Sequence, residues 1–291
     1  MGLVGLVNVN KPLQVTSRQV VDRVARAAGE DKAGHAGTLD PLASGVLVVC
    51  LGWATKLIEY VQGRPKRYRG TFLLGQSSAS DDLESEVVLH NDLPVPQRQQ
   101  VDEAAASMIG RQMQRPPAFS AVKVNGKRAY KLARRGREFE IEPRPVDIYA
   151  LDVVNYAFPE LTLDIHCGQG TYVRSLGRDL AEKLGTVAVM SALERTAVGE
   201  FAVAGGCLWN NIHPENIESL VIPPLRAVQH LPQVVVTGDE LRFISQGRPL
   251  AGRAEPMTGE VAALDEAGNL VAIVTPSDEG MLRIVRNFVR S

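Results

Sequence analysis

The chain has 291 residues, of which 45% are hydrophobic and 22% are charged, and its formal net charge at pH 7 is -1. This length and composition are typical of a globular protein with one large domain, or with a large domain and a small one. No run approaches the roughly 18 apolar residues that a membrane helix requires, so the composition excludes a helical membrane protein.

The cysteines and histidines indicate a reducing compartment and no metal. Cys50, Cys167 and Cys207 are odd in number, far apart and in apolar surroundings, as expected of free buried thiols in the cytoplasm. The first residues lack the basic start and the cleavage site of a signal peptide, which agrees with a cytoplasmic protein. With no CxxC or HxxxH pattern, the sequence does not support a metal site.

The chain begins with a predicted strand and a predicted helix. Leu3–Val9 has the apolar composition of a strand. Thr16 or Ser17 can cap the helix that follows, whose apolar residues recur at helical spacing until Gly29 ends it. The hydrophobic side of this helix is therefore expected to pack on the core.

A carboxylate lies next in the sequence, on a bend before a buried strand. The string His35-Ala-Gly-Thr-Leu-Asp-Pro-Leu-Ala-Ser-Gly-Val-Leu47 places Asp40 between glycines, which allow unusual backbone conformations, and just before Pro41, which stiffens the bend. The apolar residues that end at Leu51 predict a buried strand. A lone carboxylate at the edge of such a strand suits nucleophilic or acid–base chemistry. An isolated Asp-Pro would instead be ordinary turn chemistry.

Two further elements precede a strongly basic stretch. Lys66–Leu74 alternates like a strand and contains Tyr68, and a helix is predicted near Val101–Ile109, ending at Gly110. The following residues, Arg111–Arg137, include nine basic residues and no acidic one. Evenly spread charge would give comparable numbers of each sign, so this stretch is a distinct basic segment.

The basic segment is predicted to form an arm over about residues 111–144, projecting from the core as a flexible or hairpin-and-helix insertion. Pro116-Pro117 and Asn125-Gly126 are turn signals within it. A second basic cluster, Arg64–Arg69, repeats the bias, and aromatic residues lie within both. One such run alone could be a solvated charged face. Two runs with interleaved aromatic residues favour nucleic-acid binding, with an affinity that falls steeply with salt.

The second half of the chain predicts a strand and a helix. Leu161–Cys167 alternates with period two, and Leu176, Leu180 and Leu184 form a helical stripe that ends at Gly185. Strands and helices that alternate without a strict βαβ rhythm indicate an α+β core with a mixed sheet.

A small terminal module is predicted after Pro223-Pro224 and Pro232. We place the boundary near residue 228, which gives a domain of residues 1–228 and a domain of residues 229–291. Short strands between turn residues suggest a β-barrel-like module. Its predicted helix and three strand-like runs are Asp239–Gln246, Val261–Leu264, Leu270–Val274 and Met281–Val285.

The string around Asp40 closely resembles the catalytic signature of the bacterial tRNA pseudouridine synthase B family, which converts uridine 55 in the tRNA T-loop to pseudouridine. Gly5–Pro12 resembles the family's opening motif, and Ser120–Tyr130 resembles the segment that helps to grip the T-arm. The terminal module resembles, more vaguely, the RNA-binding PUA domain. The loop 77–85 departs from the family pattern: Asp82 keeps its final acid, whereas another acid and the usual glycine are replaced.

The resemblance implies a role for each candidate residue. Asp40 is the catalytic carboxylate, and the residues leave open whether it attacks C1′, attacks C6 of the base or removes a ribose proton. Arg174, in Gly170-Thr-Tyr-Val-Arg-Ser175, is implied as the partner that orients Asp40. Tyr68 is implied to stack on the uracil and to accept a proton at C5. The remaining implied substrate contacts are His35, Tyr172, Leu193, Lys123, Lys127 and Arg128, with a plain core role as the alternative for Leu193.

The resemblance also implies a pseudouridine synthase fold, a mixed and mainly antiparallel sheet with flanking helices. The reaction changes no oxidation state and needs no energy source, so no cofactor is expected, and the partner is the T-arm and T-loop of tRNA. We expect a monomer. The alternative is a non-catalytic tRNA-binding or folding protein, an RNA chaperone. A nuclease would need paired acids for metal or a histidine pair, and neither pattern occurs in the sequence.

Overall fold

The computed structural model describes residues 2–124, 126–252, 258–278 and 280–289. Within these ranges the strands form a ten-stranded sheet, a five-stranded sheet and two short hairpins. The strands of the first part of the chain are β1 (Gly5–Lys11), β2 (Ala33–His35), β3 (Ala43–Leu51), β4 (Lys66–Leu74), β5 (Gln76–Ser78), β6 (Val87–Leu89), β7 (Gly110–Gln114), β8 (Lys123–Val124), β9 (Lys127–Arg128), β10 (Arg144–Ala157), β11 (Glu160–Cys167), β12 (Ala188–Val198), β13 (Phe201–Ala202) and β14 (Cys207–Leu208).

The five-stranded sheet belongs to the end of the chain. Its strands are β15 (Gln233–Val235), β16 (Leu250–Ala251), β17 (Val261–Leu264), β18 (Leu270–Pro276) and β19 (Met281–Asn287). The helices of the described chain are α1 (Ser17–Ala28), α2 (Ile58–Gln62), α3 (Arg98–Ser107), α4 (Ala129–Ala133), α5 (Val173–Lys183), α6 (Ile217–Leu220) and α7 (Gly238–Ser245), with 3-10 turns at Gly52–Leu57, Val203–Gly205, Trp209–Asn211 and Pro224–Val228. None of these described helices is long and apolar enough to cross a membrane.

The large sheet is mixed and mainly antiparallel, which confirms the predicted fold class. Its central strand order is β14-β1-β3-β12-β4-β11-β10-β7. The parallel pair β3–β12 aligns Ala43 with Leu193, and the antiparallel pair β12–β4 aligns Arg195 with Tyr68. The bend before β3, the middle of β12 and the start of β4 therefore lie side by side.

The sequence signals at the helix ends act as expected. Thr16 caps α1 in a reciprocal arrangement with Gln19, which satisfies free amides of the first turn. Gly29 ends the helix in the left-handed conformation, with φ of 59°. α3 spans Arg98–Ser107 and not Val101–Ile109, because a second capping box, made by Gln97 and Gln100, begins it earlier.

α5 packs closely on the large sheet. Leu176 and Leu180 are fully buried in one hydrophobic cluster with Phe72 of β4. A Cβ atom at Gly177 would come within 2.1 Å of the Phe72 ring, so the helix can approach the strand this closely only with glycine there. This contact fixes where the first turn of α5 lies relative to β4.

The two sheets share a hydrophobic core. Val46 and Val48 of β3 belong to the same buried cluster as Leu264 and Ile273 of the five-stranded sheet. Trp53 stacks on Phe288, with ring centroids 4.5 Å apart. The domain division near residue 228 stays a prediction, and this continuous core shows how tightly the two sheets are packed together.

Three expectations need correction or restriction. Gly110–Gln114 forms an edge strand paired with the start of β10, so residues placed in the arm from 111 onward belong in part to the large sheet. After that strand the segment contains the β8–β9 hairpin and α4. The predicted turn residue Asn125 lies outside the described residues. Cys50 and Cys167 are buried, whereas Cys207 is only half-buried because it lies on the edge strand β14.

Candidate active site

A cleft of about 370 Å³ opens where the bend before β3, the strands β4 and β12, and the start of α5 meet. Five of the predicted site residues line it, namely Asp40, Tyr68, Tyr172, Arg174 and Leu193. They come from four separate segments that the strand order of the large sheet brings together. The structure therefore places these candidates in one pocket of the size that small-molecule and nucleoside sites commonly have.

Asp40 and Arg174 are in contact. Arg174 Nη2 lies 3.1 Å from Asp40 Oδ2. The Arg174 side chain is 8% exposed, whereas that of Asp40 is 40% exposed. The guanidinium is thus a fixed and nearly buried group, and the carboxylate that it orients faces the open part of the cleft.

A second carboxylate holds Arg174 from the opposite side. Asp82 Oδ2 lies 3.1 Å from Arg174 Nη1, and the Asp82 side chain is only 2% exposed. The amide N–H of Glu84 donates to Asp82 Oδ1 over 3.0 Å, and the Ser80 hydroxyl donates to the same atom. Asp82 is the acid that survives in the altered loop, and its contact with Arg174 was not foreseen.

Two further hydrogen bonds of Arg174 go to main-chain carbonyls. Nη1 donates to Ser80 O over 2.9 Å and Nη2 donates to Phe119 O over 3.1 Å. Phe119 also lines the cleft. Because Asp82 and these two carbonyls hold the guanidinium at three points, its planar fork is presented to Asp40 in one orientation.

Tyr68 lies on β4 with its ring half-buried beside Asp40 and Arg195. Burial raises the pKa of the Tyr68 phenol, and the charge of Arg195, which hydrogen-bonds to it, opposes that increase. The phenol is therefore un-ionised near neutral pH. It can stack on a base directly, but its oxygen can take up a proton only if its own proton leaves at the same time.

Arg195 is a site residue that the sequence analysis missed. It is 2% exposed, and its Nε donates to Val46 O over 2.8 Å and its Nη2 to Gly37 O over 3.0 Å. These bonds tie the turn before Asp40 to β3. Arg195 follows Leu193 by two residues on β12, but only the fold shows that its side chain reaches that turn.

Glycine is required where β3 passes β12. Gly45 has φ of 100°, and a Cβ atom there would lie 2.2 Å from the carbonyl oxygen of Arg195. The parallel strands can therefore come this close only at a residue without a side chain. This close approach sets the distance between the Asp40 bend and the cleft wall that Leu193 and Arg195 supply.

Two buried lysines add positive charge near Asp40. Lys66 lines the cleft and donates to Gln62 O, and burial lowers its pKa to about 8. Lys11 is fully buried and donates to Pro12 O and Val15 O over 2.9 and 2.7 Å. Burial also lowers the Lys11 pKa to about 8, against the charge of Asp40. Neither lysine was singled out from the sequence.

The other predicted contacts lie outside this cleft. His35 is on β2, paired with β3, and burial lowers its pKa, so the neutral ring is favoured. Lys123, Lys127 and Arg128 are exposed on the β8–β9 hairpin. Arg128 donates to the carbonyl of Ala121, a cleft residue, over 3.1 Å. The hairpin thus adjoins the cleft without entering it.

Comparison with known proteins gives concordant results. The family model for the "TruB family pseudouridylate synthase (N terminal domain)" matches residues 25–173. The tRNA pseudouridine synthase B of Caulobacter sp. (strain K31) is 39% identical over 281 residues, covering 94% of this chain and 86% of the relative. That of Dehalococcoides mccartyi (strain CBDB1) is 34% identical over 290 residues, covering 98% and 97%.

A solved structure shares the fold. A chain in the structure of an H/ACA RNP bound to a substrate RNA containing 2'-deoxyuridine aligns with a TM-score of 0.75 and 21% identity. The alignment covers 99% of this chain and 86% of that chain. It therefore extends over both sheets of the present structure.

Proposed function

The chain belongs to the TruB family of pseudouridylate synthases, and from this premise we propose that Asp40 catalyses the isomerisation of uridine 55 in the tRNA T-loop. The enzyme class follows from the family: the chain is a tRNA pseudouridine synthase. The observation that carries the proposed site is the contact of Asp40 with Arg174 in a cleft also lined by Tyr68.

The reaction breaks the bond between uracil N1 and ribose C1′, turns the base and joins C5 to C1′, and C5 loses a proton while N1 gains one. Asp40 lines the cleft with a partly exposed carboxylate, and its role stays open among attack at C1′, attack at C6 and removal of a ribose proton. Arg174 orients it and offsets its charge in each case. No oxidation or group transfer to another molecule occurs, so the proposal includes no cofactor.

The remaining cleft residues hold the base while it turns. Uridine in folded RNA must leave its stack to enter such a cleft, at a cost on the order of a few kcal/mol. The Tyr68 ring supplies a stacking surface, Leu193 an apolar wall, and Tyr172 a second aromatic group. His35, on β2, is proposed to stabilise the rearranged T-loop outside the cleft.

The basic hairpin is proposed to grip the T-arm. Lys123, Lys127 and Arg128 are exposed, and no acidic residue occurs in Arg111–Arg137, so this stretch offers phosphate groups an excess of positive charge. We further propose that the enzyme acts as a monomer in the cytoplasm, where tRNA is its partner.

The test is release of tritium from C5-labelled uridine in an unmodified tRNA transcript, with purified protein, EDTA and no cofactor. We expect release of one equivalent per tRNA, lost when uridine 55 is changed to cytidine. Release that persists with cytidine 55 would overturn the assignment of uridine 55 as the target. Tight binding without release would overturn catalysis and favour the tRNA-folding alternative.

A further inference from the structure

A second arginine–aspartate pair lies directly behind Arg174. Arg178 follows Arg174 by one turn of α5, and Asp81 precedes Asp82 in the loop. Arg178 Nη1 lies 2.9 Å from Asp81 Oδ2, and the two side chains are 23% and 18% exposed. Two adjacent carboxylates therefore meet two arginines that residue spacing places on one face of the helix.

The backbone of Asp81 is arranged to separate the two carboxylates. Asp81 has φ of 59°, a conformation that residues with a side chain rarely adopt. Its carbonyl accepts a hydrogen bond from the amide of Met190 in β12 over 3.0 Å. The loop is thereby fixed to the large sheet in a conformation that directs Asp81 to Arg178 and Asp82 to Arg174.

Arg178 also binds the base of the arm. Its Nη2 donates to Arg115 O over 2.8 Å, and the Ser175 hydroxyl donates to the same oxygen over 2.9 Å. Arg115 is the first residue after the edge strand β7, where the arm begins. One step earlier, Gln114 donates to Tyr172 O over 3.1 Å and accepts from Tyr172 N over 2.8 Å.

These contacts connect the RNA-gripping arm to the catalytic pair. Arg178 is absent from the residues that line the cleft, so any effect that it has on a base in the cleft passes through Arg174, Asp82 or the arm. We propose that the Asp81–Arg178 pair is a positioning device that sets Arg174 and Asp82 relative to the base of the arm. RNA held by the arm then presents its uridine to an Asp40 that is already oriented. The inference rests on the proposed function.

The test compares single-turnover pseudouridine formation at saturating enzyme with tRNA affinity measured by filter binding. We expect Arg178→Ala to slow the single-turnover rate about tenfold, a size typical of coupled neighbouring groups, while the tRNA Kd changes less than twofold. Arg178→Lys should recover part of the rate. Asp81→Asn combined with Arg178→Ala should be no slower than Arg178→Ala alone, because Arg178→Ala has already removed the ion pair that Asp81→Asn would weaken.

The matched control is Arg98→Ala, which breaks the exposed Arg98–Asp102 pair on α3 and should leave the rate unchanged. An unchanged rate in Arg178→Ala, or additive losses in the double variant, would overturn the positioning role. So would a loss that disappears after correction for the fraction of active enzyme. If Arg178→Ala does not fold, the single-turnover rate and the tRNA Kd of Asp81→Asn test the positioning role in its place. An inactive wild-type enzyme would instead contradict the proposed function.

Discussion

Arg174 lies between two carboxylates, with Nη1 3.1 Å from Asp82 Oδ2 and Nη2 3.1 Å from Asp40 Oδ2. The two contacts are unequal, because Asp82 is buried and hydrogen-bonded within its loop whereas Asp40 is partly exposed. The buried acid therefore anchors the arginine, and the exposed acid is the one that a substrate can reach.

Asp40→Asn should abolish product formation while tRNA binding persists. The substitution keeps the size of the side chain and removes the negative charge that the reaction uses, so the rate should fall by at least about 10²–10⁴-fold, the range for a lost catalytic group. Tritium release and filter binding on the same transcript measure the two effects. Turnover near the wild-type level would remove Asp40 from the mechanism.

Asp82→Ala should destabilise the protein and reduce the rate. It leaves Arg174, which is nearly buried, with only the exposed carboxylate as a charged partner, and breaking a buried pair in this way costs about 3 kcal/mol. Urea unfolding measures the loss. The control Asp164→Ala, in an exposed pair, should leave stability nearly unchanged. Equal stabilities of the two variants would contradict an anchoring role for Asp82.

Gly45→Ala should be much more harmful than Gly110→Ala. The two glycines have nearly the same φ, 100° and 104°, so alanine strains the backbone similarly at both. Only at Gly45 would the new Cβ collide, 2.2 Å from Arg195 O, whereas nothing lies within 4 Å at Gly110. The extra loss of unfolding free energy should exceed about 1 kcal/mol. Comparable losses in thermal or urea unfolding would mean that the strands separate without cost.

Replacing Lys123, Lys127 and Arg128 together with alanine should weaken tRNA binding and flatten its salt dependence. Each lost phosphate contact should lower the slope of log K against log salt by about 0.7–0.9. Binding measured between 50 and 200 mM salt gives the slope. Alanine at the exposed cations Arg26, Lys32 and Lys183, which lie outside the arm, is the matched control. An unaltered slope in the arm variant would show that the hairpin does not hold phosphate.

Lys66→Met should change how stability depends on pH. Burial lowers the Lys66 pKa from 10.5 to about 8 in the folded protein, so between these values the unfolded chain binds a proton that the folded chain does not. The wild type should therefore gain stability relative to Lys66→Met as pH rises from about 8 to 10, by at most about 1.4 kcal/mol per pH unit. Lys11 is present in both proteins, so its contribution to the pH dependence cancels in the difference between them. A stability difference that stays flat over this range would contradict the proton linkage at Lys66.

Local sequence signals were sufficient to predict several of the helices and strands. Gly29 ends α1, the period-two alternation of Leu161–Cys167 became β11, and Leu176 and Leu180 are buried on α5. Each of these features depends on neighbours in sequence or on one side facing the core. The edge strand Gly110–Gln114 was missed because its polar residues gave no strand pattern, and its pairing with the distant β10 determines its structure.

The sequence predicted only those residues of the candidate site that lie in recognisable motifs. The resemblance singled out Asp40, Tyr68 and Arg174, and the fold places all three at one cleft, while their catalytic roles stay predictions. The contact of Asp82 with Arg174 and the bonds of Arg195 to the Asp40 turn could not be read from the sequence. Both sets of contacts join segments that the fold brings together but that are distant along the chain.

The hydrophobic core common to the two sheets fixes the position of the terminal sheet relative to the large sheet that carries Asp40. Val48 and Ile273 lie in one cluster, and Trp53 stacks on Phe288, so the terminal sheet cannot shift against the catalytic sheet without opening voids in a close-packed interior. The distance from Asp40 to the terminal sheet is consequently a constant. An RNA that contacts both the Asp40 cleft and the terminal sheet must hold its target uridine at that distance from the part of the RNA that lies on the terminal sheet. The shape of the RNA helix is then selected without recognition of any base.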